Sequence, residues 1–267
     1  MFRFTNIRSD NFINDLELLC DNHFQPNEFL KQRMKSLSLM SFAAMANSDS
    51  LFLSLDYTIR CASVALDVVK GLAIRDGLTN EEEFRNILCS SLFAHVGIIR
   101  GILPEDHDPS FLIAPQKTKE IPNAETDSAL WRYHAERSAI YVEQNLSQHK
   151  TSNIDVIERA IRNTDFTKRV NDSEINNVGK ITRACQIIAL FSSSGNSGFN
   201  SHMVKIYWSA KEGNILNRFR LYELEDFRNG FKQYFWDHLF SGISDTISIL
   251  QVTDSGFQKI AKLYTRL

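Results

Sequence analysis

The sequence predicts an all-α protein with a single multi-helix bundle, a long proline-rich insert and an aromatic-rich C-terminal helical extension. Three observations support this fold class. Apolar residues recur with helical spacing in several long segments. No sustained alternation of the kind that marks a half-buried strand occurs. Four of the five prolines lie between residues 101 and 126, so most of the chain lacks the residue that most often interrupts a helix.

Length and composition limit the possible functions. A chain of 267 residues with 43% hydrophobic residues can bury a sizeable core. Its formal net charge of −2 gives no basic surface for nucleic acid or an anionic membrane, so we expect neither partner. The four cysteines include no Cys-x-x-Cys pair and are predicted to be buried thiols. The chain also has no signal-like N-terminus and no long apolar run. Together with the buried thiols, these features indicate a cytoplasmic protein.

Residues 1–48 are predicted to form an N-terminal helical segment packed on the core. Asn80, followed by Glu83 three residues later, has the pattern of a helix N-cap. The helix that it begins has an apolar stripe that includes His95 and continues to Ile99. The helices predicted before it cover 10–20, 26–37 (with Pro26 near its start), 39–45 and 51–72.

The helical core is predicted to span 49–192, interrupted by an irregular insert at 101–126. Proline is mixed with acidic and polar residues in this insert, and long structureless connections are usually functional or mobile. After it, a helix capped by Asp127 and Ser128 runs to residue 146, with His134 on its apolar face. Two further predicted core helices cover 154–162 and 173–191.

Residues 193–267 are predicted to extend the same domain as helices. The serine- and glycine-rich tract 192–198 indicates a flexible turn before them. Most aromatic residues here have the spacing of core positions, while the surplus around Tyr234 and Trp236 indicates an interface with a partner or a second copy. The predicted helices cover 203–210, 216–240 and 255–267.

Five short motifs occur in an order that resembles the HD-domain superfamily, over roughly residues 50–192. They are Tyr57-Thr-Ile-Arg-Cys-Ala62, Leu92-Phe-Ala-His95-Val96-Gly97, Tyr133-His134-Ala-Glu-Arg-Ser138, Ile161-Arg-Asn-Thr164-Asp165-Phe166 and Arg183-Ala184-Cys185-Gln186. The resemblance implies the fold of all-helical, metal-dependent phosphohydrolases, which include cyclic-nucleotide phosphodiesterases. Bacterial members with a long insert after the His-Asp motif are the most similar.

The same resemblance implies a damaged metal site. His95 matches the histidine of the His-Asp pair, and His134 matches an additional histidine of the metal-binding subfamilies. The remaining ligand positions hold Ala62, Val96 and Gln186. A hydrolytic metal centre needs several deprotonated ligands to hold the cation and to lower the pKa of its bound water. The resemblance therefore implies a degenerate, metal-free member.

The remnant pocket, defined as His95, His134, Asp165 and Gln186, is the first candidate site. The two histidines have three interpretations: neutral core side chains bonded to each other, to the glutamine or to backbone carbonyls; donors to a ligand; or ligands of a metal. Arg100, Arg132 and Arg137 are candidate phosphate-binding residues, because a guanidinium matches phosphate bidentately. Surface ion pairs are the alternative role for these arginines.

The leading functional prediction is a degenerate HD-fold protein without a hydrolytic metal centre or any cofactor. It would bind a protein partner or a nucleotide-like small ligand through the remnant pocket or the helical surface. The alternative is a phosphohydrolase or phosphodiesterase that holds manganese, iron, magnesium or zinc in an unconventional site, with the insert folded over the pocket. Its ligands would be His95, His134, Asp106 or Asp108, and Asp165. An unrelated helical interaction protein is the third hypothesis.

Overall fold

The structure, a computed structural model, is all-α, which confirms the predicted fold class. It describes residues 7–24, 27–77, 80–147, 153–168, 175–192 and 195–267, apart from the side chains of 195–198. These ranges contain twelve α-helices and a two-stranded hairpin. The helices are α1 (Ile7–His23), α2 (Glu28–Met45), α3 (Leu55–Asp76), α4 (Glu81–Phe93), α5 (His134–Leu146), α6 (Ile154–Arg162), α7 (Asn177–Phe191), α8 (Gly195–Glu212), α9 (Leu216–Phe219), α10 (Leu224–His238), α11 (Ser244–Leu250) and α12 (Asp254–Arg266).

The N-terminal helices agree with the prediction except for one break. The predicted boundary between 37 and 39 is wrong, because α2 continues through it. Ser38 is buried there, and its hydroxyl donates to the Met34 carbonyl one turn back at 2.8 Å. The predicted cap of α4 is confirmed, since the Asn80 side chain accepts from the Glu82 amide at 2.9 Å. Pro26, predicted near a helix start, lies outside the described residues.

The sequence predicted that the insert at 101–126 is irregular, but part of it is regular. It contains an antiparallel hairpin of β1 (Ser110–Ala114) and β2 (Lys117–Glu120), with Phe111 opposite Lys119. Strand β1 buries Phe111 and Leu112, while every residue of β2 is exposed. A strand without a buried face carries no apolar alternation, which explains why this hairpin was not predicted.

The C-terminal extension differs from the prediction in three places, one of which is α11, a helix that was not predicted. The predicted turn at 192–198 overlaps α8, which begins at Gly195. Residues 193–194 of that turn lie outside the described residues. The predicted start of the preceding core helix, Ser173, also lies outside them. The predicted helix 216–240 is two helices, α9 and α10. Arg220 follows α9 with a φ of +57°, in the left-handed region, and a capping box of Glu223 and Asp226 begins α10.

One hydrophobic core unites the described segments. Apolar side chains from α1 to α12 belong to a single buried cluster, in which α3 packs against α4 and α7, and α5 packs against α6. All four cysteines are buried thiols, as predicted. Burial raises the pKa of Cys20 to about 12. None of the helices within the described ranges combines the length and the apolar character required of a transmembrane span.

Gly97, in the 3₁₀ turn Val96–Ile98, lies close against the backbone of α5 beside the candidate site. A Cβ atom here would overlap the backbone of α5 at His134 and Ser138. We expect Gly97→Ala to lower the free energy of unfolding by about 3 kcal/mol, at the upper end of overpacking costs, because backbone cannot move aside as a side chain can. Urea denaturation followed by circular dichroism measures this change.

Gly242→Ala is the matched control, because a Cβ there meets no atom within 4 Å. A Gly97→Ala protein as stable as the control would show that the turn and α5 separate easily.

Candidate functional site

His95 lies just after α4 and not within it. The predicted helical stripe through His95 to Ile99 is wrong, because α4 ends at Phe93 and a 3₁₀ turn follows. The imidazole is 2% exposed and its Nδ1 is hydrogen-bonded to the Thr58 hydroxyl at 3.0 Å. Burial, together with the neighbouring His134, lowers the pKa of His95 to about 3. The ring is therefore neutral at physiological pH.

His134 is the first residue of α5 and stands beside His95, with 6.2 Å between ring centroids. Its Nδ1 is 2.6 Å from the Trp131 carbonyl oxygen, which can only accept, so Nδ1 carries the proton. Burial lowers the pKa of His134, although the Asp165 carboxylate opposes the shift. The neutral ring therefore has Nε2 as its remaining acceptor.

The three positions that the resemblance aligns with metal ligands are all buried. Ala62 and Val96 are fully enclosed in the core. The Gln186 amide lies next to His95; its oxygen accepts from the Cys61 thiol at 3.1 Å, and its Nε2 has no hydrogen-bond partner in the described structure. One neutral amide thus stands at the three positions where the resemblance implies metal ligands.

Asp165 lies in the turn after α6 and is 2% exposed. Its carboxylate accepts from the Thr167 amide at 3.1 Å and from Arg218 Nη1 at 2.9 Å, and lies 3.6 Å from Lys168 Nζ. Burial alone would raise the pKa of Asp165, but His134, Thr167 and the two cations outweigh it and lower the pKa. The remnant pocket is therefore one ionised carboxylate beside two neutral imidazoles.

The three candidate phosphate-binding arginines have different environments. Arg137 is fully buried, and its guanidinium makes a bidentate pair with Asp106. Arg100 is half-buried and contacts Asp127 at 3.2 Å and Asp49 at 3.4 Å. Their guanidinium groups are occupied by carboxylates of the protein. Arg132 is exposed on the surface.

The alternative metal site is not assembled in the described residues. The Asp106 carboxylate is bound to Arg137 and to the amides of Leu103 and Leu112, at 3.2 and 3.0 Å. Asp108 is exposed. No three histidine, cysteine, aspartate or glutamate side chains in the described part of the chain are grouped so that they could hold a metal ion.

A cavity of about 820 Å³ lies on the outer side of Asp165. Its walls come from the turn after α6, from α7, α9 and α10, and from residues 239–242. Four of its lining side chains are permanent cations, and one is a carboxylate. They are Lys168, Arg183, Arg218, Arg220 and Asp237. We call this space the cationic cavity.

The signals for these four cations in the amino-acid sequence are weak. Arg183 belongs to the Arg-Ala-Cys-Gln motif, in which the resemblance assigns a ligand position to the glutamine and no role to the arginine. Arg218 and Arg220 come from the C-terminal extension, where isolated charges in a helical pattern are usually solvated. A sequence pattern does not show that residues from separate elements share one cavity.

The fold and site together define an all-α protein with a buried histidine pair and, beside Asp165, a cationic cavity. The chain matches the sequence profile of the Npun_R2479-like family over residues 2–267 and belongs to that family. No curated protein and no solved structure matches it.

Proposed function

We propose that this protein is a degenerate HD-fold protein that binds a small ligand or a protein partner and does not hydrolyse phosphate esters. The donor chemistry of the remnant pocket carries the proposal. Ala62, Val96 and Gln186 stand where the resemblance requires metal ligands, and together they supply a single neutral amide. Such a set neither neutralises a divalent cation nor lowers the pKa of a bound water.

The two histidines support the same proposal. Thr58 and the Trp131 carbonyl occupy Nδ1 of His95 and His134 respectively, and both rings are buried and neutral. This is the ordinary state of core histidines with satisfied hydrogen bonds. We further propose that the protein acts in the cytoplasm, which its four buried thiols favour, and that its partner is a nucleotide-like ligand, another protein or a second copy.

Metal analysis tests this proposal. After expression with manganese, iron, magnesium and zinc, we expect the purified protein to hold no stoichiometric metal. Titration with each ion should leave its melting temperature unchanged, because the single carboxylate of the pocket, Asp165, is already paired with Arg218 and Lys168. Incubation with bis(p-nitrophenyl) phosphate and each metal should release no nitrophenol.

The opposite result would be bound metal together with hydrolysis that depends on the remnant pocket. His134→Gln would then abolish hydrolysis, while His107→Gln, which alters an exposed histidine outside the pocket, would preserve it. That pair of results would establish the alternative, a phosphohydrolase with an unconventional site.

A further inference from the structure

We propose that the cationic cavity is a binding site for a small organic phosphate. This inference rests on the proposed binding function and names the chemical class of its ligand. The site is distinct from the remnant pocket, because residues of the C-terminal extension form much of its wall.

The charge of the cavity favours an anion. Lys168, Arg183, Arg218 and Arg220 line it, against one lining carboxylate, Asp237. Asp165, which lies behind the wall, neutralises part of this charge through Arg218. The remaining cations repel one another across a shared concave space, where charge effects are stronger than on an open surface. A phosphate group would relieve this repulsion and accept several charge-assisted hydrogen bonds.

The cations near the turn after α6 are held in place. Arg183 donates to the carbonyl oxygens of Asn163 at 3.1 Å, Asp165 at 2.8 Å and Lys168 at 2.8 Å, and so fixes the turn. Arg218 Nη1 is bound to the Asp165 carboxylate and to the Thr167 hydroxyl at 3.0 Å. The hydrogen bonds in the described structure thus use one nitrogen of Arg218, which leaves Nη2 and Nε for a ligand.

The size and the apolar lining of the cavity favour an organic ligand. A volume of about 820 Å³ falls within the range of small-molecule sites, roughly 300–1,000 Å³, and far exceeds what an inorganic phosphate ion would fill. Phe166, Ile187, Tyr234 and Leu239 line it together with the cations. A phosphate group would therefore contact the cations, while an apolar or aromatic portion would contact these side chains.

Calorimetric titration with phenyl phosphate, in buffer that contains a chelator, tests the site. We expect phenyl phosphate to bind more tightly than inorganic phosphate, and phenol not to bind. Lys168→Gln and Arg220→Gln should each weaken binding roughly fivefold, the upper range for partly exposed charges, and the double variant about 25-fold. Arg159→Gln, which removes one exposed positive charge outside the cavity, is the matched control.

Several results would overturn the proposal: no binding of phenyl phosphate at millimolar concentration, equal binding of inorganic phosphate, or a double variant with unchanged affinity. A loss of affinity in Arg159→Gln alone would place the site elsewhere. Unchanged melting temperatures would show that the variants are folded. Metal-dependent release of phenol would overturn the proposed function and leave the binding site standing, whereas absent binding would overturn only the site.

Discussion

Arg137→Met is expected to lower the free energy of unfolding by about 3–5 kcal/mol, the usual cost of removing one partner of a buried ion pair. Both side chains of the Arg137–Asp106 pair are fully buried, with N–O distances of 2.9 and 2.8 Å. The guanidinium also donates to the carbonyl oxygens of Gly97 at 2.6 Å and Ile99 at 2.8 Å, and to that of Leu112. The substitution would leave these acceptors without a donor in a dry interior.

Urea denaturation measures the loss, and two further variants interpret it. Arg162→Met makes the same chemical change in a partly exposed pair with Glu136 and should cost less than about 1 kcal/mol. The double variant Arg137→Met, Asp106→Leu removes both charges and should recover part of the loss. Equal costs for the two single arginine variants would contradict the inference that burial makes the Arg137 pair important.

Acid is expected to destabilise the protein well above the range in which carboxylates titrate. Burial lowers the pKa of both His95 and His202 to about 3, with His134 next to the former and Arg60 next to the latter. In the unfolded chain these groups titrate near about 6.5. Below that pH the unfolded state binds protons that the native state does not, so stability is complete above about pH 6.5 and falls as the pH approaches 3.

The expected loss approaches about 1.4 kcal/mol per pH unit for each such histidine below pH 6.5, and is roughly 4 kcal/mol for His95 and His202 together between pH 7 and 5. Urea denaturation at pH 7, 6 and 5 measures it. His202→Leu should reduce the slope by one proton, because it removes one of the two titrating rings. The substitution breaks no hydrogen bond at Nδ1, which has no partner among the described residues. His107→Leu, at an exposed position, should leave the slope unchanged. A slope that His202→Leu does not alter would disprove this assignment.

Local patterns in the sequence predicted most of the helices, because their signals are local. The bounds of α6 agree with the predicted 154–162, and the Asn80 cap of α4 is confirmed. The end of α4 could not be predicted in the same way. The apolar period continues past Phe93, but Gly97 must lie against the backbone of α5, and this tertiary contact takes the chain out of the helix.

The candidate site was predictable only in part. The resemblance to the HD-domain superfamily pointed to His95 and His134 as candidate site residues, and the structure places them side by side. The environment of Arg137 was not foreseen, because its partner Asp106 is 31 positions away, in an insert that was predicted to be irregular. The cationic cavity was missed for a similar reason, since its walls come from elements far apart in the chain.

The contact of Arg183 with the turn after α6 has a consequence for binding kinetics. One side chain from α7 holds the carbonyl groups of Asn163, Asp165, Phe166 and Lys168 without a ligand. The turn has already lost its conformational entropy during folding, so a ligand need not order it. Association should therefore resemble docking into a rigid receptor, with a rate set by diffusion and charge attraction and reduced by added salt.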